Sequence, residues 1–126
     1  MSSCICCVLT CMDYRIQPLV SRWLEGRGLK GHYDYIALPG ASRNFLSENK
    51  LAMIETSVKL HQVKEVYLVH HEDCGAYGLG NLPLEEQLKK HREDMYQAAK
   101  IIKERYPNLI CHLAFVRLDG SIVELS

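Results

Sequence analysis

Short apolar segments alternate along this chain with stretches whose apolar residues recur every three or four positions. Cys4 to Thr10, Tyr33 to Leu38, Lys64 to Val69 and Leu109 to Phe115 read as strands, the first of them a near-continuous apolar run of the kind buried on both faces. Between them, Leu19, Val20, Trp23 and Leu24 follow Pro18 at helical spacing, and Gly26 and Gly28 end that helix. Leu51, Ile54, Val58 and His61 mark a second helix, for which Ser47 is the expected N-cap. Pro83-Leu84-Glu85-Glu86 opens the longest helix, with Leu88, Met95, Ala98, Ala99 and Ile102 as its inner stripe and Pro107 as its stop. Asp119-Gly120 is a hairpin signal that sends Ser121 to Leu125 back as an edge strand.

Strand and helix thus alternate three times before a terminal hairpin. This predicts an α/β fold: a three-layer, open, mostly parallel sheet with strand order 2-1-3-4 and an antiparallel edge strand 5. No repeat, linker or low-complexity tract interrupts residues 1–126, so one domain is expected. In that strand order the chain reverses direction between strands one and three. A crevice opens there, beyond the carboxyl ends of the two strands.

Composition narrows the function classes. The chain is 48% hydrophobic and 24% charged, with 15 basic and 15 acidic side chains and no basic stripe, which argues against nucleic acid or an anionic membrane as partner. No apolar stretch approaches the roughly 20 residues of a membrane helix. No signal-peptide pattern opens the chain, so a cytoplasmic protein is expected. Six cysteines in such a chain read as reduced thiols rather than disulfides. Cys4, Cys6, Cys7 and Cys111 are expected to be small buried hydrophobes, since their immediate neighbourhood offers no metal-ligating partner.

The two strand ends at the crevice carry the chemistry. After the first strand comes Cys11-Met12-Asp13-Tyr14-Arg15; after the third comes His71-Glu72-Asp73-Cys74-Gly75. If the strands are neighbours, Cys11, His71 and Cys74 converge. Two thiolates and an imidazole with one position open form a catalytic zinc set. Alternation along an extended segment lets Cys11, Asp13 and Arg15 share the crevice side, with Met12 and Tyr14 pointing away. Asp13 could then accept a hydrogen bond from water or hydroxide at the metal, and Arg15 could hold Asp13 bidentately and ionised. His70 is the rival ligand to His71, because a register slip of one residue would exchange them. The three-residue spacing to Cys74 favours His71.

Together, Cys-x-Asp-x-Arg after the first strand and His-x-x-Cys-Gly after the third resemble the signature of the β-class carbonic anhydrases. The resemblance implies zinc held by Cys11, His71 and Cys74, with Asp13 and Arg15 as a catalytic dyad. It implies reversible hydration of carbon dioxide to bicarbonate by hydroxide generated at the zinc, in a homodimer or larger homo-oligomer. The fourth zinc position would be filled by water or by Asp13. The chain departs from the family in its second-strand turn, where Pro39-Gly40-Ala41-Ser42 stands in place of an Arg-Asn-Ala-Gly pattern, with Arg43-Asn44 a few residues later. His70 stands where glycine is common, and Tyr77 where a small residue is usual. The N-terminal helical arm of the family is not expected, since the first strand begins almost at Met1. Hydrolysis of carbonyl sulfide or carbon disulfide, a non-catalytic zinc protein, and metal-free thiol chemistry at Cys74 with His71 as base are the alternatives. Glu72 and Asp73 are expected in the solvated or N-capping part of a turn, where either could relay a proton, Lys89-Lys90-His91-Arg92 on an exposed helix face, and His32, His61, His91 and His112 in surface or packing roles.

Overall fold

The computed structural model describes residues 2–125. Its elements follow in the expected order: β1 (Cys6–Cys11), α1 (Gln17–Gly26), β2 (Tyr33–Leu38), α2 (Leu51–His61), β3 (Glu65–His71), α3 (Leu84–Arg105), β4 (Ile110–Val116) and β5 (Ile122–Leu125). The sheet order is β2-β1-β3-β4-β5. All pairings are parallel except β4 with β5. The predicted architecture is therefore the observed one, with the reversal of strand order falling between β1 and β3.

Burial explains why β1 and β3 are central. Every residue of β1 is buried, and so is every residue of β3 after Glu65. One side of the sheet packs Val8, Tyr67 and Val69 against Val20 and Leu24 of α1. The other packs Leu9 and Leu68 against Ile54 of α2 and against Met95, Ala98 and Ile102 of α3. Strands covered on both faces carry apolar residues throughout rather than alternately.

Four details differ from the sequence reading. The strand β1 starts two residues later and ends one residue later than expected, at Cys6 and Cys11, and β3 continues to His71, so Cys11 and His71 are strand residues held by the ladder. Ser47 does not cap α2; its hydroxyl donates to the Asn44 carbonyl, and the helix begins after Lys50. On α3 the face turned to the sheet includes buried Gln87 and His91, while Leu88 is only half-buried. His91 is 1% exposed, so it does not share the solvated face of Lys89, Lys90 and Arg92. Cys111, with Cys4, is half-buried rather than fully enclosed.

The long connection from β2 to α2 is held from inside. Lys50 is 2% exposed, and its ammonium donates to the carbonyl of Ala41 at 2.7 Å and to that of Arg43. Glu48 lies 3.3 Å from it and balances its charge. A buried ammonium is tolerated only with such partners. Lys50→Met keeps the volume but leaves two carbonyls without a donor. We expect it to cost about 2–4 kcal/mol, read as a fall of roughly 10 °C in Tm. Thermal unfolding of the two proteins checks this, and a variant melting with the wild type would refute the anchoring role.

Candidate metal centre

Parallel pairing of β1 with β3, in register Thr10↔Val69, brings the strand ends side by side. Cys11 and His71 arrive on the strands themselves, and Cys74 arrives on the turn that follows β3. The Cys11 and Cys74 sulfurs lie 3.9 Å apart. One ligand atom from each of Cys11, His71 and Cys74 falls within 4.8 Å of the others, and all three residues are buried.

The histidine is oriented by its neighbour. His71 Nδ1 lies 2.7 Å from the Glu72 carbonyl oxygen. A carbonyl only accepts, so Nδ1 carries the proton and donates, which leaves the lone pair of the neutral ring on Nε2. His71 Nε2 is buried without a hydrogen-bond partner. Buried polar atoms are normally satisfied, and an orphan needs an explanation. Here a borderline cation fits: the orphan faces two thiols, and thiolate and imidazole are preferred zinc ligands. The pattern that a metal would relieve is visible in the thiols themselves. The contact with the Cys74 thiol holds the Cys11 thiol well below its ordinary value, with the Gly40 N–H assisting against burial. The same contact, with burial, pushes Cys74 up.

His70, the rival, points elsewhere. The Ser42 backbone N–H lies 3.3 Å from His70 Nε2 and can only donate, so Nε2 accepts. His70 Nδ1–H then donates to His91 Nδ1 at 2.8 Å. Burial, first of all, holds both histidines below their ordinary value and therefore neutral. Tyr77 packs on His91, with ring centroids 3.8 Å apart, and donates to Asp94 at 2.7 Å. Ser42, His70 and Tyr77, which depart from the family pattern, thus meet in one polar group with His91. Arg43 joins it by lying over the Tyr77 ring at 5.6 Å.

Asp13 and Arg15 meet as expected, and Met12 and Tyr14 are exposed. Arg15 donates from Nε to Asp13 Oδ1 at 3.1 Å and from Nη2 to Asp13 Oδ2 at 2.8 Å, and its backbone N–H also reaches Oδ1. This fork lowers the Asp13 carboxyl to about 2. Asp13 Oδ2 lies 3.9 Å from His71 Nε2, so the carboxylate borders the cluster.

Asp73 lies in the turn after β3 with its side chain half-exposed, as expected, and there it braces Arg15. It accepts from Arg15 Nη1 at 3.0 Å on its side chain and from Nη2 at 2.9 Å on its carbonyl. Its φ is +55°, a left-handed conformation that asparagine and aspartate tolerate better than most residues. Gln87 holds it there, accepting from the Asp73 N–H at 2.8 Å while donating to the Leu82 carbonyl. The only hint in the sequence was the carboxylate beside Cys74. Glu72 turns away and accepts from the Leu118 N–H at 2.8 Å. The Pro39–Ser42 turn brings backbone to the site through a tight contact: Gly40 has φ +72°, and a Cβ there would lie 3.0 Å from Arg43 Cβ and 3.2 Å from Ala76 Cβ.

The mostly parallel five-stranded sheet is a fold shared with solved structures. The fold matches the β-carbonic anhydrase CafA of Aspergillus fumigatus, with TM-score 0.67 and 18% identity over 99% of this chain and 76% of that one. It also matches a tetrameric β-carbonic anhydrase of Sordaria macrospora, with TM-score 0.68 and 15% identity over 100% of this chain and 82% of that one. Residues 1–125 match the family described as "Putative carbonic anhydrase", and the chain belongs to that family. A relative in Rickettsia bellii (strain RML369-C), described only as an uncharacterized protein, is 30% identical over 94% of this chain and 79% of its own length.

Proposed function

We propose that residues 1–126 form one zinc domain that interconverts carbon dioxide and bicarbonate. The observation that carries this reading is the buried, unpartnered His71 Nε2 facing the Cys11 and Cys74 sulfurs. Cys11, His71 and Cys74 would hold zinc, leaving one position open. Bound there, the metal would supply Lewis acidity and lower the pKa of a water molecule. The Nδ1–H bond to the Glu72 carbonyl fixes the His71 tautomer and raises its basicity as a ligand. Asp13, whose Oδ2 lies 3.9 Å from His71 Nε2, would accept a hydrogen bond from water held at the metal. Arg15 keeps Asp13 ionised and in place. Two thiolates cancel the charge of a divalent metal, so this acceptor matters more than in an all-imidazole site.

Free thiols function as ligands only where they stay reduced, which suits the cytoplasm. None of the described helices is long and apolar enough to cross a membrane. The chain works as a homo-oligomer in this reading. The tetrameric β-carbonic anhydrase of Sordaria macrospora, whose fold it shares, supports this. Light scattering on the eluting protein tests this, and a monomer at working concentration refutes it.

Stopped-flow hydration of carbon dioxide, run beside a sulfide-release assay on carbonyl sulfide and carbon disulfide, tests the activity. Hydration above background that is lost on chelation supports the proposal. Sulfide release without hydration would transfer the site to the sulfur substrates. Stoichiometric zinc with neither activity would make the protein a non-catalytic zinc binder.

Gly80→Ala probes the outer support of the dyad. A Cβ at Gly80 would collide with Asp73 Oδ1 and come within 3.1 Å of Asp73 Cγ, so the Asp73 carboxylate must shift away from Arg15 Nη1 while its carbonyl can still accept from Nη2. The pair is half-exposed, so the stability cost should stay under about 1 kcal/mol. Loss of dyad alignment is expected to slow hydration roughly 10-fold with zinc retained, as measured by kcat/KM and metal content.

A further inference from the structure

A second set of soft and charged ligands lies at the opposite end of β1. Cys4 precedes that strand, Asp34 is the second residue of β2, and His61 ends α2. The sequence reading assigned Cys4 no metal-ligating partner; the fold supplies two. One ligand atom from each of Cys4, Asp34 and His61 lies within 4.8 Å of the others. His61 Nδ1 is 2.9 and 2.8 Å from the two Asp34 carboxylate oxygens.

We propose that Cys4 Sγ, an Asp34 carboxylate oxygen and His61 Nδ1 form a second site for a zinc-class divalent cation, with its fourth position open to solvent. The donor set is that of zinc: one thiolate, one imidazole and one carboxylate. The Cys4 thiol gives up its proton to solvent on binding, and thiolate plus carboxylate then cancel the charge of the ion. Without the ion, His61 Nδ1 carries the proton it donates to Asp34, since a carboxylate only accepts; on binding, that proton moves by way of solvent to Nε2 and the Nδ1 lone pair takes the ion. Supporting contacts orient the ligands, as outer contacts do in metal sites. Ser57 Oγ donates to Asp34 Oδ2 at 2.5 Å. The Asp34 backbone N–H points at the Cys4 sulfur. The Cys4 N–H donates to the His61 carbonyl at 3.1 Å, tying the segment before β1 to the end of α2.

The ion has a way in. The Asp34 and His61 side chains are 28% and 34% exposed. They border a surface cleft of about 370 Å³ lined also by Tyr35, Met53, Thr56 and Leu60. Seven residues of extended chain separate Cys4 from Cys11, which puts the two clusters roughly 20 Å apart. The second site therefore stands or falls independently of carbon dioxide hydration.

The test uses the full chain with Cys11→Ser and Cys74→Ser, which removes the first cluster, and titrates it with cobalt(II). The expected result is saturation at about one equivalent, with the visible bands of tetrahedral cobalt and a thiolate charge-transfer band. Adding Cys4→Ser should abolish the charge-transfer band, and adding His61→Ala should weaken binding at least about 100-fold, beyond the loss seen for outer contacts. No thiolate band, or one indifferent to Cys4→Ser, overturns the proposal. Should the double variant fail to fold, zinc content decides in the otherwise unaltered chain. Cys4→Ser alone is then expected to lower retained zinc from about two equivalents to about one, leaving circular dichroism and hydration rate unchanged. Equal zinc in the two proteins overturns the site.

Discussion

Cys74→Ser is expected to remove the zinc of the Cys11–His71–Cys74 cluster and to take carbon dioxide hydration down to background. The Cys74 sulfur is 3.9 Å from that of Cys11, and the residue is 2% exposed. A serine hydroxyl there is a hard, neutral oxygen with a shorter reach. It can neither neutralise the ion as a thiolate does nor match its softness. Changes in outer contacts already weaken metal binding roughly 10–100-fold, so loss of a ligand should exceed that range. The fold should survive, because Cys74 lies on a turn after β3 rather than in the ladder. Metal analysis after desalting and the hydration rate read the result together. A variant that keeps both its zinc and its rate would remove Cys74 from the ligand set, and with it the case for this centre.

Asp13→Asn separates holding the metal from using it. The amide fills the same space and keeps one oxygen, but it lacks the charge that the Arg15 fork is built to hold. Losing the acceptor beside His71 is expected to lower kcat/KM by about 10²–10⁴-fold while zinc content stays at the wild-type level. Arg15→Lys should move in the same direction by less, since a single ammonium cannot reproduce a two-point grip.

The dyad also makes a pH prediction. The Asp13 carboxyl is lowered from 3.8 to about 2, first of all by the Arg15 side chain. Its folded value lies below its unfolded value, so the contribution to stability is fully present above about pH 4. Between there and about pH 2 the unfolded chain takes up a proton that the folded one refuses, and stability falls as pH drops. In metal-free protein, Tm should therefore fall more steeply across that window in wild type than in Asp13→Asn. Parallel slopes would mean that Arg15 does not hold Asp13 ionised in solution.

How much of this was legible depended on distance along the chain. The ligand motifs were readable because each lies within a few residues of one strand end, and a strand-by-strand pattern says where such ends meet. The choice of His71 over His70 rested on spacing, and the structure supplies the reason: β3 runs through His71, and its alternation sends His70 to Ser42 and His91. The expectation for Ser47 failed because a buried Lys50 organises that loop, and nothing local marks a lysine as buried. His91 was misread because its neighbours Lys89, Lys90 and Arg92 are all charged. The inward face of α3 follows Gln87, His91 and Met95, a stripe with two polar members that hydrophobic periodicity does not recognise.

The chain by itself determined the alternation of strands and helices, the strand order and which two thiols and one imidazole the first and third strand ends carry toward each other. These follow from short-range rules: apolar periodicity, the handedness of crossovers and the chemistry of thiol and imidazole. Tertiary structure alone decided which polar groups are satisfied and by whom. It placed Asp73 and Gln87 behind Arg15, buried Lys50 under a loop, and brought Cys4, Asp34 and His61 together from three segments. Hydrogen bonds and metal ligation act over about 3 Å, and whether distant residues come that close is set by the packing of the whole sheet, which no local stretch of sequence encodes.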